Sequence, residues 1–321
     1  MDALPDIQTV RDARLLLNRY LPTTRTIPAS SLSRAGMQVH LKLETELPTG
    51  SFKPRGALYA LATNLARRKI KVEEVTASST GNHGAAVAFA AKTLGVPATI
   101  FLPSNPNPVK RQKIIDLGAR IVEAGAVDLA ASFQHAAEYS SRPGVYFLND
   151  ATDADVPVGT ATIGMEIIEQ HPEVSTVYVP MGDTALIRGV AAAVKQLRSA
   201  ARVIGVQAER APSYYLSWKE GRVVTTESCD TCADGLATRT PDAGNVVVIR
   251  ELVDDVVLVS EEQMLDAIRH LYNEEGVLAE PASAAATAAF MARSPQDGEC
   301  VVLLVTGANI SEDIRQRAGV R

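Results

Sequence analysis

From about residue 38 onward the chain alternates short apolar runs with longer segments whose apolar residues recur at helical spacing, the pattern of a parallel sheet flanked by helices. The runs VHLKLE (39–44), EVTASS (74–79), PATIFL (97–102), ARIVEA (119–124), GVYFLN (144–149), TVYVP (176–180), RVIGVQ (202–207) and CVVLLVT (300–306) predict strands. Residues 84–94, 109–117, 127–139, 161–169, 185–197, 261–274 and 282–291 predict helices. The fold class is therefore α/β. Several strands run directly into a glycine or small hydroxyl residue before the next helix. Open α/β sheets place their ligands there, because free N–H groups at helix starts meet the carboxyl ends of strands.

At 321 residues, 46% of them hydrophobic, the chain can bury a large core in two domains or one large one. No repeat, low-complexity linker or charge block marks a boundary. The polar, Asp-rich stretch NDATDADVP (149–157), between two strand-helix series, is the one clue to a break. A net charge of -5 gives no long-range field that would collect nucleic acid or anionic lipid. The N-terminal segment has scattered charges and no apolar core, unlike a secretory signal, and the small-apolar stretch 284–292 is too short to span a membrane, so a cytoplasmic protein is expected. Cys229 and Cys232 form a CxxC, but no second Cys/His pair follows at metal spacing and Cys300 lies in an apolar run. Structural zinc wants four ligands, so these read as ordinary thiols.

Four motifs can carry chemistry. TGSFKPRGA (49–57) sets Lys53 at a helix entrance, with Pro54 suited to the first turn. A buried ammonium there would lose its proton readily enough to act as a nucleophile, whereas the same lysine in isolation reads as a solvated one. ASSTGNHGAAVAFAAKTLG (77–95) runs from strand to helix through Ser79, Thr80, Gly81, Asn82 and His83. Free amides and two hydroxyls at such an entrance suit a carboxylate or phosphate, where a simple helix cap needs only one of these residues. VYVPMGDTALIRG (177–189) offers a second anion pocket from Gly182 to Ala185, and in VLLVTGANIS (302–311) a hydrophobic strand ends in Thr306, Gly307 and Asn309.

Together and in this order, the four motifs resemble the fold-type II pyridoxal-phosphate (PLP) family, the tryptophan-synthase-β-like group that contains threonine and serine dehydratases and serine racemase. The resemblance continues through KLE (42–44), GTATIGMEI (159–167), DGLA (234–237) and EPASAA (280–285). SFKPRGA and STGNHG point to the dehydratase branch, since cysteine-synthase relatives carry an SVKDR-like lysine motif and SGNTG. The resemblance implies a two-domain, three-layer αβα fold, with a large PLP-binding domain of residues 1–69 and 153–321 and a small mobile domain of residues 70–152. It implies that Lys53 carries pyridoxal 5'-phosphate as a Schiff base with Phe52 beside it. Asn82 then bonds the ring hydroxyl, Gly182, Asp183, Thr184 and Ala185 hold the phosphate, and Thr306 faces the pyridine nitrogen. Ser79, Thr80, Gly81 and His83 would grip the substrate carboxylate, with Lys53 and Thr80 as the catalytic groups. Glu280 and Asp234 fall in matching motifs with supporting roles, and Arg55, Tyr214 and Arg239 are candidates for the side-chain pocket.

The chain departs from the family pattern in three places. MGDTA (181–185) replaces the tetraglycine phosphate loop, so Asp183 must point away or be neutralised, because adjacent anions repel. Where many dehydratases have an acidic cation site, VQAERAPSYY (206–215) places Gln207 and Pro212; no bound metal is expected unless a shifted alignment brings in Glu209. Thr80 stands where serine racemase has a second serine, which disfavours racemisation. The implied activity is PLP-dependent dehydration of a β-hydroxy amino acid such as threonine or serine to a 2-oxo acid and ammonia. Serine or aspartate racemisation, β-replacement and a non-catalytic amino-acid-binding role are the alternatives. A homodimer is the expected assembly.

Overall fold

A computed structural model of the chain describes residues 4–67, 71–79, 81–104, 108–123, 129–293 and 298–321. The strands are β1 (Thr26–Pro28), β2 (Gln38–Leu43), β3 (Glu74–Ser78), β4 (Ala98–Phe101), β5 (Arg120–Val122), β6 (Val145–Phe147), β7 (Thr176–Pro180), β8 (Arg202–Ala208), β9 (Asp255–Val259) and β10 (Cys300–Val305). They form a six-stranded sheet in the order β1-β2-β10-β7-β8-β9 and a four-stranded sheet in the order β5-β4-β3-β6. Every pairing is parallel except that of β1 with β2. The helices are α1 (Ile7–Leu17), α2 (Lys53–Arg67), α3 (Asn82–Leu94), α4 (Pro108–Asp116), α5 (Leu129–Tyr139), α6 (Val156–Gln170), α7 (Ala185–Leu197), α8 (Ser213–Glu220), α9 (Ala243–Leu252), α10 (Glu261–Glu275), α11 (Pro281–Met291) and α12 (Glu312–Ala318). None of the described helices is long and apolar enough to cross a membrane.

The continuous apolar run of β10 has a direct cause. Val301, Leu303 and Val305 enter one core with Met264, Ile268 and Leu271 of α10, while Val302 and Leu304 enter another with Ile163 and Ile187 of α6 and α7. A strand buried on both faces reads as unbroken hydrophobicity, which makes three layers with helices on either side. α11 has no polar face because Pro281 through Phe290 are all buried, so its alanines serve close packing on every side. α6 begins at Val156, earlier than its periodicity predicts, because Pro157 is tolerated in a first turn. A Cβ on Gly159 would lie 2.3 Å from the Arg55 carbonyl oxygen, so glycine there lets α6 reach α2.

Beneath the start of α2 lies a buried charge network. Arg55 donates to Glu44 from Nε (2.8 Å) and to Glu166 from Nη1 (2.7 Å), while Lys42 Nζ reaches Glu166 (2.6 Å) and the Thr24 carbonyl (2.8 Å). All four charged side chains are buried, two of each sign. This corrects the reading of Arg55 as a pocket residue: its guanidinium points away from the cavity and locks the helix that begins with Lys53. KLE and GTATIGMEI supply its partners, which accounts for those two motifs structurally.

Candidate active site

The carboxyl ends of β3, β6, β7 and β10 deliver side chains to one cavity of about 230 Å³, the position an α/β sheet reserves for a ligand. Phe52, Lys53, Ser79, Gly81, Asn82, His83, Gly182, Asp183 and Thr306 all line it. Thr80 lies outside the described residues.

Lys53 Nζ donates to Asp150 Oδ2 (2.5 Å) and Asp183 Oδ2 (2.8 Å). Burial acts to strip its proton, but the two carboxylates prevail and raise its pKa above the ordinary lysine value. The two carboxylates thus oppose the expectation of an easily deprotonated lysine. The same pair answers the question posed by Asp183: it points into the site, neutralised by Lys53, and its Oδ1 accepts from the Ala185 amide (2.9 Å). Asp150 comes from the stretch that reads as a linker, and burial opposes its ionisation while His83 and Lys53 hold its pKa well below the usual range.

The turn before α7 has the character of an anion cradle. Thr184 caps the helix at φ 75°, the single non-glycine residue with positive φ among those described. A β-branched residue is strained there, and glycine is the relaxed choice. A Cβ on Gly182 would lie 2.1 Å from the Gly235 carbonyl oxygen, so the chain passes closely under that loop. The amides of Gly182, Asp183 and Thr184 bond to no described residue, and the buried Thr184 hydroxyl has no hydrogen bond of ordinary geometry, though it lies by the Tyr214 phenol. Three free amides and an orphaned hydroxyl at a helix start fit a phosphate.

Opposite, α3 starts at Asn82 without a side-chain cap. Asn82 is fixed from two sides: Nδ2 donates to Glu280 Oε1 (2.5 Å) and Oδ1 accepts from Asn309 Nδ2 (2.7 Å). Burial pushes the Glu280 carboxyl up to about 7 against the pull of Lys110, and its Oε2 has no partner. The buried Thr306 closes the cavity floor, its carbonyl accepting from the Phe52 amide (2.9 Å). Lys110 of α4 pairs with Asp234 across the mouth. Lys110 and Asp150 have no motif-level signal of their own; only the fold brings them to the site.

The other candidates lie elsewhere. Tyr214 is buried, accepts from the Asp242 amide (3.1 Å) and does not line the cavity, while Arg239 is exposed. Gln207 Oε1 accepts from the Tyr215 amide (2.8 Å) and its Nε2 is buried without a partner, an amide where a cation site would need carboxylates. Cys229 and Cys232 are free and packed against the core, the Cys232 thiol pushed up to about 12 by burial and Glu261.

A lysine at a helix start, a free-amide anion cradle and a fixed asparagine in one cavity define a site for a phosphorylated carbonyl cofactor. Residues 18–307 match the family model described as pyridoxal-phosphate dependent enzyme. The chain belongs to that family, and PLP is its cofactor. Within the family it falls in the serine/threonine dehydratase branch of the fold-type II enzymes. It is 35% identical to an L-threonine ammonia-lyase of Thermotoga maritima over 97% of this chain and 77% of that one. Among solved structures it is similar to maize serine racemase (TM-score 0.90, 27% identity, 99% and 97% of the two chains) and to the T.th. threonine deaminase (TM-score 0.86, 31% identity, 96% and 99%).

Proposed function

We propose that the chain is a PLP-dependent ammonia-lyase that removes water from a β-hydroxy amino acid and releases a 2-oxo acid and ammonia. The observation that carries this reading is the placement of Lys53 between the free-amide turn 182–184 and the uncapped start of α3. The names of the relatives, L-threonine ammonia-lyase and threonine deaminase, support the same chemistry. Bound PLP supplies an electrophilic carbonyl and an electron sink for bond cleavage at Cα.

The chain's own residues do the rest. Lys53 is the amine that would hold the cofactor carbonyl and, when free, would be the base at Cα. Asp150 and Asp183, already on Nζ, orient the free amine and favour its protonated form. The free 182–184 amides and the Thr184 hydroxyl would hold the phosphate, Asn82 would meet the ring hydroxyl, and Thr306 would offer the ring nitrogen a neutral hydroxyl. Ser79, Gly81 and His83 at the α3 entrance, with Thr80 of the same sequence motif, receive the substrate carboxylate. Residues 70–152 form a small domain that closes on the remainder and excludes water, with Lys110–Asp234 as a contact across the mouth. The enzyme works as a homodimer in the cytoplasm.

The test is release of 2-oxo acid and ammonia from L-threonine and L-serine by wild-type enzyme and by Lys53→Ala. Equal amounts of both products from wild type, and neither from the variant, support the reading. Racemised substrate without oxo acid would refute it.

A further inference from the structure

Two carboxylates in the cavity share one ammonium. Asp150 and Asp183, with side chains 19% and 25% exposed, both bond Lys53 Nζ, and the Asp183 aim is fixed by its second bond to the Ala185 amide. Among the described residues, four carboxyl groups line the cavity, from Asp150, Asp183, Asp234 and Glu280, against two ammonium groups, from Lys53 and Lys110. Lys110 is engaged with Asp234, so Lys53 is the cation that balances the other pair. His83 also borders Asp150. Its Nε2 meets the Leu148 carbonyl (2.9 Å) and must donate there, leaving Nδ1, 3.4 Å from Asp150, with a lone pair or a second proton.

Once Lys53 nitrogen is bound to the cofactor, or set free as a base, it no longer offers three N–H groups and a full charge. Asp150 and Asp183 then face the substrate in a site from which water is excluded, where unbalanced like charges are costly. A substrate amino group in the place of Nζ would bring the first atoms of its side chain within reach of these carboxylates.

We propose that Asp150 and Asp183 form a cation subsite and that the preferred substrate is a β-hydroxy amino acid carrying an ammonium on its γ-carbon. The inference rests on the ammonia-lyase reading and narrows it. Cα loses its proton to Lys53, that electron pair forms the Cα–Cβ double bond, and the β-hydroxyl leaves as water with one added proton. Water then hydrolyses the imine tautomer of the enamine to the 2-oxo acid and ammonia; the γ-ammonium is retained.

L-2,4-diaminobutyrate and its uncharged isostere L-norvaline lack the β-hydroxyl, so calorimetric titration into the PLP-loaded enzyme compares charge without elimination of water. The diamino acid binds at least about 30-fold tighter, and the ratio falls below about threefold in Asp150→Asn and Asp183→Asn, each checked for folding and cofactor content by circular dichroism and absorption. In turnover, 2,4-diamino-3-hydroxybutyrate exceeds 2-amino-3-hydroxypentanoate at least about 100-fold in kcat/KM. Equal binding of the isosteres, a preference intact in both variants, or brisk turnover of the neutral acid on adding a metal cation overturns the subsite. Equal turnover of charged and neutral hydroxy acids does so while the ammonia-lyase reading stands. Absence of 2-oxo acid from every hydroxy acid, threonine and serine included, overturns both.

Discussion

Replacing Arg55 by methionine keeps most of the side-chain volume and deletes one buried charge. In the native chain the guanidinium binds both oxygens of Glu44 and both of Glu166, at 2.7 to 2.9 Å, with further contacts to Thr162 and Thr24. Its loss leaves two buried carboxylates with Lys42 as their remaining cation. Breaking a buried pair in this way costs about 3–5 kcal/mol, because the survivors stay desolvated. The cost depends on pH. Burial raises the Glu166 pKa, but Arg55 and Lys42 outweigh it and hold the value below 4.5. Its stabilising contribution is therefore present above that value and is lost as pH falls through the lower folded-state value. Urea unfolding followed by far-ultraviolet circular dichroism, at about pH 7 and about pH 3.5, measures both. The reasoning expects a deficit of about 3–5 kcal/mol near neutrality that shrinks in acid. A deficit below about 1 kcal/mol, or one equal at both pH values, would refute it.

Other substitutions probe the cavity. Thr184→Gly relieves the left-handed backbone and raises cofactor-free stability by about 1 kcal/mol in urea unfolding, while PLP dissociates faster for want of the hydroxyl. Glu280→Gln tests the carboxyl raised from 4.5 to about 7. A raised acid stabilises the fold fully below 4.5 and loses that contribution as pH rises through about 7, so the variant's pH–stability curve is flatter across that window. Asp183→Asn withdraws one of the carboxylates that hold the Lys53 proton, so stopped-flow absorption shows faster PLP uptake, about tenfold for each unit by which the lysine pKa falls.

Legibility followed sequence proximity. The eight predicted strands are all present, most clearly the apolar runs of β4, β7, β8 and β10 buried in parallel sheets, and α7 spans the predicted residues 185–197. β1, three residues long, lacks that signature; β9 carries the legible apolar run 256–259 yet is absent from the predicted strands; and Pro157 and Gly159 disguise the first turn of α6. In the site, Lys53, Asn82, Gly182 and Thr306 sit inside contiguous strand-to-helix motifs and reach one cavity. Asp150 does not: its neighbours in sequence form a polar loop, and its partner Lys53 is 97 residues away. Arg55 was open to misreading for the same reason, since a cation in a catalytic motif suggests a ligand until Glu166, 111 residues on, is seen to bind it.

The central claim is that Lys53 carries the cofactor, and chemical trapping tests it most directly. Borohydride reduction of the PLP-loaded enzyme, followed by proteolysis and mass spectrometry, should place a single phosphopyridoxyl adduct on the peptide containing Lys53, and none on that region in Lys53→Ala. An adduct on Lys110, Lys113 or another lysine, or no adduct on an enzyme shown to contain PLP, would contradict the account.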